Sequence, residues 1–339
     1  MTIRRDMIEA AGRAKALLGD SAGAVERFVR SRQQADGGFA GRGEAGDLYY
    51  TVFAVEILAA LDAEMPVRRI AAYLDGFGDG QSLDLVHLAS LARCRAALDE
   101  AAATQPDRKT VGAMAAMVER FRSADGAFSI KAGADAGDVY GCFMATGAME
   151  DLGMGLAGAQ AIVARLGALR RADGGYANDD RTAAGSTPAT AAAVVLLHGL
   201  EAHATRGQDA RETQGRDALA TENGRGTRDK GRPTKYEIRN TEYVAMAAQW
   251  LLARRHVSGG FAAGPGLETL GMTDLLSTAT AIHALATVGA RLDDLREAAL
   301  DYLDSLWRPM GGFCGCGADD VVDCEYTFYG LLAMGHLVQ

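Results

Sequence analysis

Three stretches carry residue types and spacings that can do chemistry. In VVDCEYTFYG, Asp323 and Glu325 are carboxylates two positions apart. Such a pair serves either as oxygen ligands for a divalent metal or as an acid/base couple. Asp274 in MTDLLSTAT sits in an equivalent setting and is a third candidate ligand. In DLVH, Asp84 and His87 stand at i, i+3 and so share one helix face. Oxygen-rich sets of this kind suit magnesium better than zinc. Cys314, Cys316 and Cys324 form a C-x-C…C cluster that would need Asp319 or Asp320 as a fourth ligand. Read plainly, they are free small residues in a tight turn. Tyr49, Tyr50, Phe53, Tyr140, Phe143, Tyr326, Phe328 and Tyr329 recur just after the acidic positions. Those that face inward would hold an apolar chain or stabilise a cation over their rings.

The elements that must position these groups are helices, and they repeat. Asp47, Asp84, Asp138, Asp274 and Asp323, with Ser186, each open an apolar run. That is the place of an N-cap, whose side chain accepts a hydrogen bond from a free backbone N–H and contributes about 1 kcal/mol. Ahead of most caps lies a Gly-Gly-aromatic turn and a polar loop, and ahead of that an amphipathic helix such as 24–34 or 296–307. The phrase returns from Arg32, Arg122, Arg170, Arg255 and Trp307, with a degenerate copy from Asp75. Six units, at about 24–66, 67–100, 112–153, 158–204, 240–290 and 293–339, give twelve helices in one domain over 1–339. Helices apolar nearly all round belong inside, and amphipathic ones outside. The expected fold is therefore all-α: a six-repeat α/α toroid with an inner barrel, an outer barrel, and the polar loops gathered at one rim. The charged stretch 206–239 breaks the pattern and reads as a flexible surface insertion. Its basic residues would otherwise serve as a lid over an anionic ligand.

Composition narrows the partners. The 339 residues carry a net charge of −9, which excludes nucleic acid as the main partner. No apolar run reaches membrane-spanning length and no signal peptide is visible, so a cytoplasmic protein is expected. Five cysteines do not make a disulfide framework.

The phrases GGFCGCGADDVVDCEYTFYG and DLYYTVF resemble the helix-opening phrase of protein prenyltransferase β subunits. QQADGGF at 33–39 resembles a shortened squalene-cyclase repeat, with Phe in place of Trp. The resemblance runs from about Ala24 to Gln339 outside the insertion. It implies an α6–α6 barrel with a central apolar funnel for an isoprenoid chain. In the transferases of this family it also implies zinc held by Asp and Cys of one repeat and His of a later one, a basic rim for diphosphate, and a helical-repeat partner subunit. Asp274 matches the family Asp, but Leu276 stands in the Cys column and Tyr326 in the His column. The loop before Asp274 has no Arg or Lys; Arg42, in GRGEAGD, matches the family's rim Arg in type though in another repeat. The Asp-x-Asp-Asp acid of protonating cyclases is missing, and the chain has no room for the second barrel such cyclases usually carry.

Three functions stay open on these grounds. One is an isoprenoid-handling transferase with altered metal chemistry. It would use Asp323 and Glu325 as catalytic groups. Asp47, Tyr49, Tyr50, Tyr140, Tyr326, Tyr329 and Arg42 would meet an isoprenoid or isoprenyl diphosphate. Asp274, Asp323 and Glu325, or Asp84 with His87, would bind magnesium or zinc. The second is a cyclase with a relocated acid. The third is a non-catalytic toroid that binds a lipid or protein.

Overall fold

The computed structural model describes residues 2–200 and 235–338, with no side-chain account for 235–241. The part of the charged stretch up to 234 lies outside the described residues. The rest of it, 235–239, is helical: the helix Lys235–Leu252 starts inside the segment read as insertion.

After an N-terminal helix α1 (Ile3–Arg13), the chain alternates outer and inner helices. The outer members are α2 (Ala22–Ser31), α4 (Val67–Asp75), α6 (Arg108–Glu119), α8 (Ala159–Leu169), α10 (Lys235–Leu252) and α12 (Asp293–Leu306). The inner members are α3 (Leu48–Ala60), α5 (Leu85–Ala102), α7 (Val139–Asp151), α9 (187–200), α11 (Leu275–Thr287) and α13 (Cys324–His336). Burial follows the sequence pattern. In α2 only the stripe Val25, Phe28 and Val29 is buried, whereas α3 is buried almost all round. Inner helices pack on one another: α3 on α5, α5 on α7, α11 on α13, and α13 back on α3, which closes the ring. Among the described residues no helix is long and apolar enough to cross a membrane.

The Gly-Gly-aromatic turns couple the two layers. Each folds back on itself, pairing Gln33 with Phe39, Arg122 with Phe128, Arg170 with Tyr176, Arg255 with Phe261 and Trp307 with Phe313. Those aromatics are buried in the core. The first glycine of the turn takes a left-handed backbone, with φ 98° at Gly37 and 104° at Gly311. It also lies against the next outer helix. A methyl on Gly37 would overlap the Arg69 carbonyl, and one on Gly311 the Ala24 carbonyl of the first outer helix. The outer layer is thus closed as well.

The acidic helix openers are caps. The side chains of Asp47, Asp84, Asp138, Asp274 and Asp323 each accept a backbone N–H in the first turn of their helix. Ser186 occupies the corresponding position, its carbonyl accepting from Thr190 N. All these N-termini lie at one end of the inner barrel, the rim.

The repeat count did not anticipate α1. This helix packs on α13, α3 and α7, and so lies across the barrel end opposite the rim. Small residues let it approach: Gly335 faces the Ala10 carbonyl and Gly12 the Ala60 carbonyl. Ionic ties hold it. Buried Arg4 meets Asp151 at 3.2 Å and Glu100 at 2.6 Å, and Arg13 donates to the Gly335 carbonyl at 3.1 Å. Beside it, His283 of α11 and His336 of α13 pair Nδ1 to Nε2 at 2.9 Å.

Candidate functional site at the rim and centre of the barrel

The rim cluster joins the first and last repeats. Asp323 is fully buried. Its Oδ1 accepts from Tyr326 N at 2.9 Å, which caps α13, and its Oδ2 faces Arg42 Nε at 3.4 Å. Arg42 comes from the first-repeat loop and donates its shorter bond to Asp319, at 2.7 Å. Its guanidinium also stands 6.0 Å from the Tyr326 ring centre. Glu325, two residues past the cap, points elsewhere: its Oε1 accepts from Tyr49 Oη at 2.6 Å. Burial raises the pKa of both acids above the ordinary carboxylate range, against the hydrogen bonds they accept.

Around Glu325 the aromatics predicted to face inward do converge. Tyr49 stacks edge-on against Phe53 at 5.1 Å, and Phe53 lies 5.7 Å from Tyr329. Burial, then the nearby Glu325 charge, pushes the Tyr140 phenol up; Tyr329 is pushed up by burial first and by the same carboxyl next. Tyr326 and Tyr50 stay nearer the surface. Tyr50 packs on Gly41 and donates its backbone N–H to the capping Asp47, while Tyr326 covers Gly315. Asp47 itself caps α3 through Tyr49 N at 2.7 Å.

The other predicted ligands are occupied separately. Both Asp274 oxygens bind Ser277, one through the backbone N–H and one through the hydroxyl, each at 2.7 Å. Burial raises its pKa. Asp84 and His87 pair with each other at 2.8 Å at the exposed start of α5. Burial opposes ionisation of Asp84, but the bonds from His87 outweigh it and lower its pKa. Cys314 and Cys324 are buried free thiols, and Cys316 is half-buried. Among the described residues no three His, Cys, Asp or Glu side chains converge where a metal ion would sit. With Leu276 and Tyr326 in the thiolate and imidazole columns, this donor set does not fit the family's zinc.

A central cavity of ≈ 60 Å³ is lined by Tyr49, Phe53, Phe143 and Tyr329 together with Glu56 and Arg93. The open apolar funnel implied by the resemblance is thus closed down by aromatic side chains and by Met7 of α1. Glu56 and Arg93 were missed in the sequence. Their signal was charge inside otherwise apolar runs: a lone Glu in FAVEILAAL, and Arg93 with Arg95 in LASLARCRAAL.

Comparison with known proteins agrees with this architecture. A model of the prenyltransferase alpha-alpha toroid domain matches residues 13–74, 67–219 and 233–338. A search of curated protein sequences returns no match. Among solved structures, Candida albicans protein geranylgeranyltransferase-I complexed with GGPP is similar at TM-score 0.60 and 13% identity, over 91% of this chain and 89% of that one. A variant of the type II terpene cyclase MstE from Scytonema is similar at TM-score 0.59 and 13% identity, over 96% and 97%. Nearly the whole of that cyclase is matched by the single ring described here. A polysaccharide lyase is similar at TM-score 0.52 and 11% identity, over 95% and 96%, and likeness at this level speaks for the fold alone. With its helix pairs, closed ring and matched residues, the chain belongs to the prenyltransferase alpha-alpha toroid domain family.

Proposed function

We propose that this protein is an enzyme acting on a diphosphate-free isoprenoid by proton transfer, with Glu325 as its general acid. The observation that carries this reading is the setting of Glu325: a buried, protonation-prone carboxyl, bonded to Tyr49 Oη at 2.6 Å, at the mouth of an aromatic-walled centre. A buried carboxyl with a raised pKa keeps its proton to higher pH than an ordinary Glu; in that form it can donate to an alkene or a leaving oxygen, and the rings of Tyr49, Tyr140 and Tyr329 would face the cation that results. Asp323 and Arg42 would position the loop that covers the site.

Diphosphate chemistry fits the first–last repeat side of the rim poorly: Asp47, Asp274, Asp319, Asp323 and Glu325 crowd it, and Arg42 there is already paired with Asp319. A diphosphate would meet mostly like charge. In the comparisons the transferase is complexed with GGPP, whereas one MstE structure holds geranylgeranyl dihydroxybenzoate, which has no diphosphate. The second type of ligand is the better match for an acidic rim.

The test is turnover of geranylgeranyl dihydroxybenzoate and of geranylgeranyl diphosphate, each with magnesium or zinc and with chelator, read by product mass. We expect turnover of the diphosphate-free substrate in chelator and a loss of about 10²-fold or more in Glu325→Gln. Turnover restricted to the diphosphate and abolished by chelator would overturn the reading. One observation favours a non-catalytic toroid instead: the centre holds ≈ 60 Å³, while ligand pockets commonly hold about 300–1,000 Å³. Binding of either probe without any product would select that alternative.

A further inference from the structure

The floor of the central cavity holds a carboxyl without a donor. Glu56 is completely buried, and neither of its oxygens has a hydrogen-bond partner. Its contact with Arg93 Nη1 is long, at 3.5 Å, because Arg93 spends its Nε on Asp151 at 3.1 Å. Asp151 in turn holds Arg4 of α1. Folded proteins leave few buried polar groups unpaired, so a carboxyl open to a cavity marks a place where something else binds. Glu56 lies nine residues below the cap Asp47 on the same helix, roughly 13 Å down the axis at about 1.5 Å per residue. The walls in between are Tyr49, Phe53, Phe143 and Tyr329.

Resting on the isoprenoid reading above, we infer that Glu56 and Arg93 anchor a hydroxyl at the leading tip of the ligand, so that the preferred substrate is an isoprenoid oxygenated at the end remote from the rim. The chemical class follows from charge. Glu56, Arg93, Asp151 and Arg4, continued outward by Glu100 and Arg5, hold three acids against three guanidiniums. A cationic tip would add an unbalanced buried charge, and an anionic tip would confront Glu56. A hydroxyl is neutral, donates to the open carboxyl and accepts from Arg93. The walls suit a hydrocarbon body. Room for it comes from Met7 and Met144, which line the same cavity and are the side chains most able to move aside.

The test is equilibrium binding of two probes to the full chain, farnesol and its ω-hydroxy derivative, which are alike at the rim end and differ at the tip. The wild type should hold the ω-hydroxy probe at least about tenfold more tightly, since a site built to bond a hydroxyl rejects the analogue lacking it. Glu56→Leu should erase that preference while keeping farnesol binding, and Glu56→Gln should keep part of it. A helical circular-dichroism spectrum and a cooperative melt establish that each variant is folded. Equal binding of both probes by the wild type would overturn the anchor, mean that Glu56 meets only water, and leave the isoprenoid reading standing. Binding of neither would overturn both.

Discussion

Asp323 and Glu325 are separated by one residue and do different work. Asp323 is the cap and the Arg42 partner; Glu325 reaches past the cap to Tyr49. Replacing Asp323 with Ala should cost about 1 kcal/mol through the cap alone, and more because Arg42 loses a buried partner. Its effect should appear in urea midpoints as well as in turnover. Glu325→Gln should spare stability and remove turnover. Because the Glu325 pKa is raised by burial, the acid form persists to higher pH than for an ordinary Glu. Turnover should then fall as pH rises through that raised value, a limb that Glu325→Gln abolishes. The acidic pairs, the inward tyrosines and Arg42 were legible in the sequence because the repeat put them at one register. Their pairing across the first and last repeats was not, since spacing along the chain says nothing about which repeats meet. Asp319 was visible only as a spare cysteine-cluster ligand.

Among the elements, the repeat phrase predicted caps, turns and layers because each has a local cause: an Asp that accepts a backbone N–H, a glycine at positive φ, an aromatic to bury. The α1 helix had no such signature, and its role is set by the ends of distant helices. Its docking depends on the absence of a side chain at Gly335, where a methyl would overlap the Ala10 carbonyl. Gly335→Ala should therefore lower the melting midpoint by roughly 2–6 °C, as overpacking of about 1–3 kcal/mol would do in a chain of this size. An unchanged midpoint in differential scanning calorimetry would show that α1 shifts freely. Glu56 was hidden for a related reason. A lone Glu in an apolar run reads as a solvated interruption, and only the closed ring turns it inward.

At the scale of the molecule, buried titratable groups shape stability against pH. Burial, and then the neighbouring Arg13 charge, lowers the pKa of His283 from 6.5 to about 4. Burial, His283 and Arg13 lower that of His336 to about 3. The unfolded chain takes up these protons first, so stability should decline as pH falls below 6.5. Glu56 works in the opposite sense: burial raises it to about 7, so stability should decline as pH rises from the ordinary Glu value through 7. Urea midpoints measured across pH should lose the decline below pH 6.5 in His283→Gln/His336→Gln and the decline on rising to pH 7 in Glu56→Gln. The closed ring has one more consequence, in time rather than in energy. The bonds from Tyr49 to Glu325 and from Arg42 to Asp323 span 276 and 281 residues. Bringing such distant ends together costs about 5 kcal/mol of loop entropy. During synthesis the first half of the proposed site must wait, unpaired, until the segment holding Asp323 and Glu325 has left the ribosome. A chain truncated just before Asp323 would keep most of these helices and lack both carboxyls. The seam where the ring joins is thus the last part of the ring to form, and the proposed site lies on it.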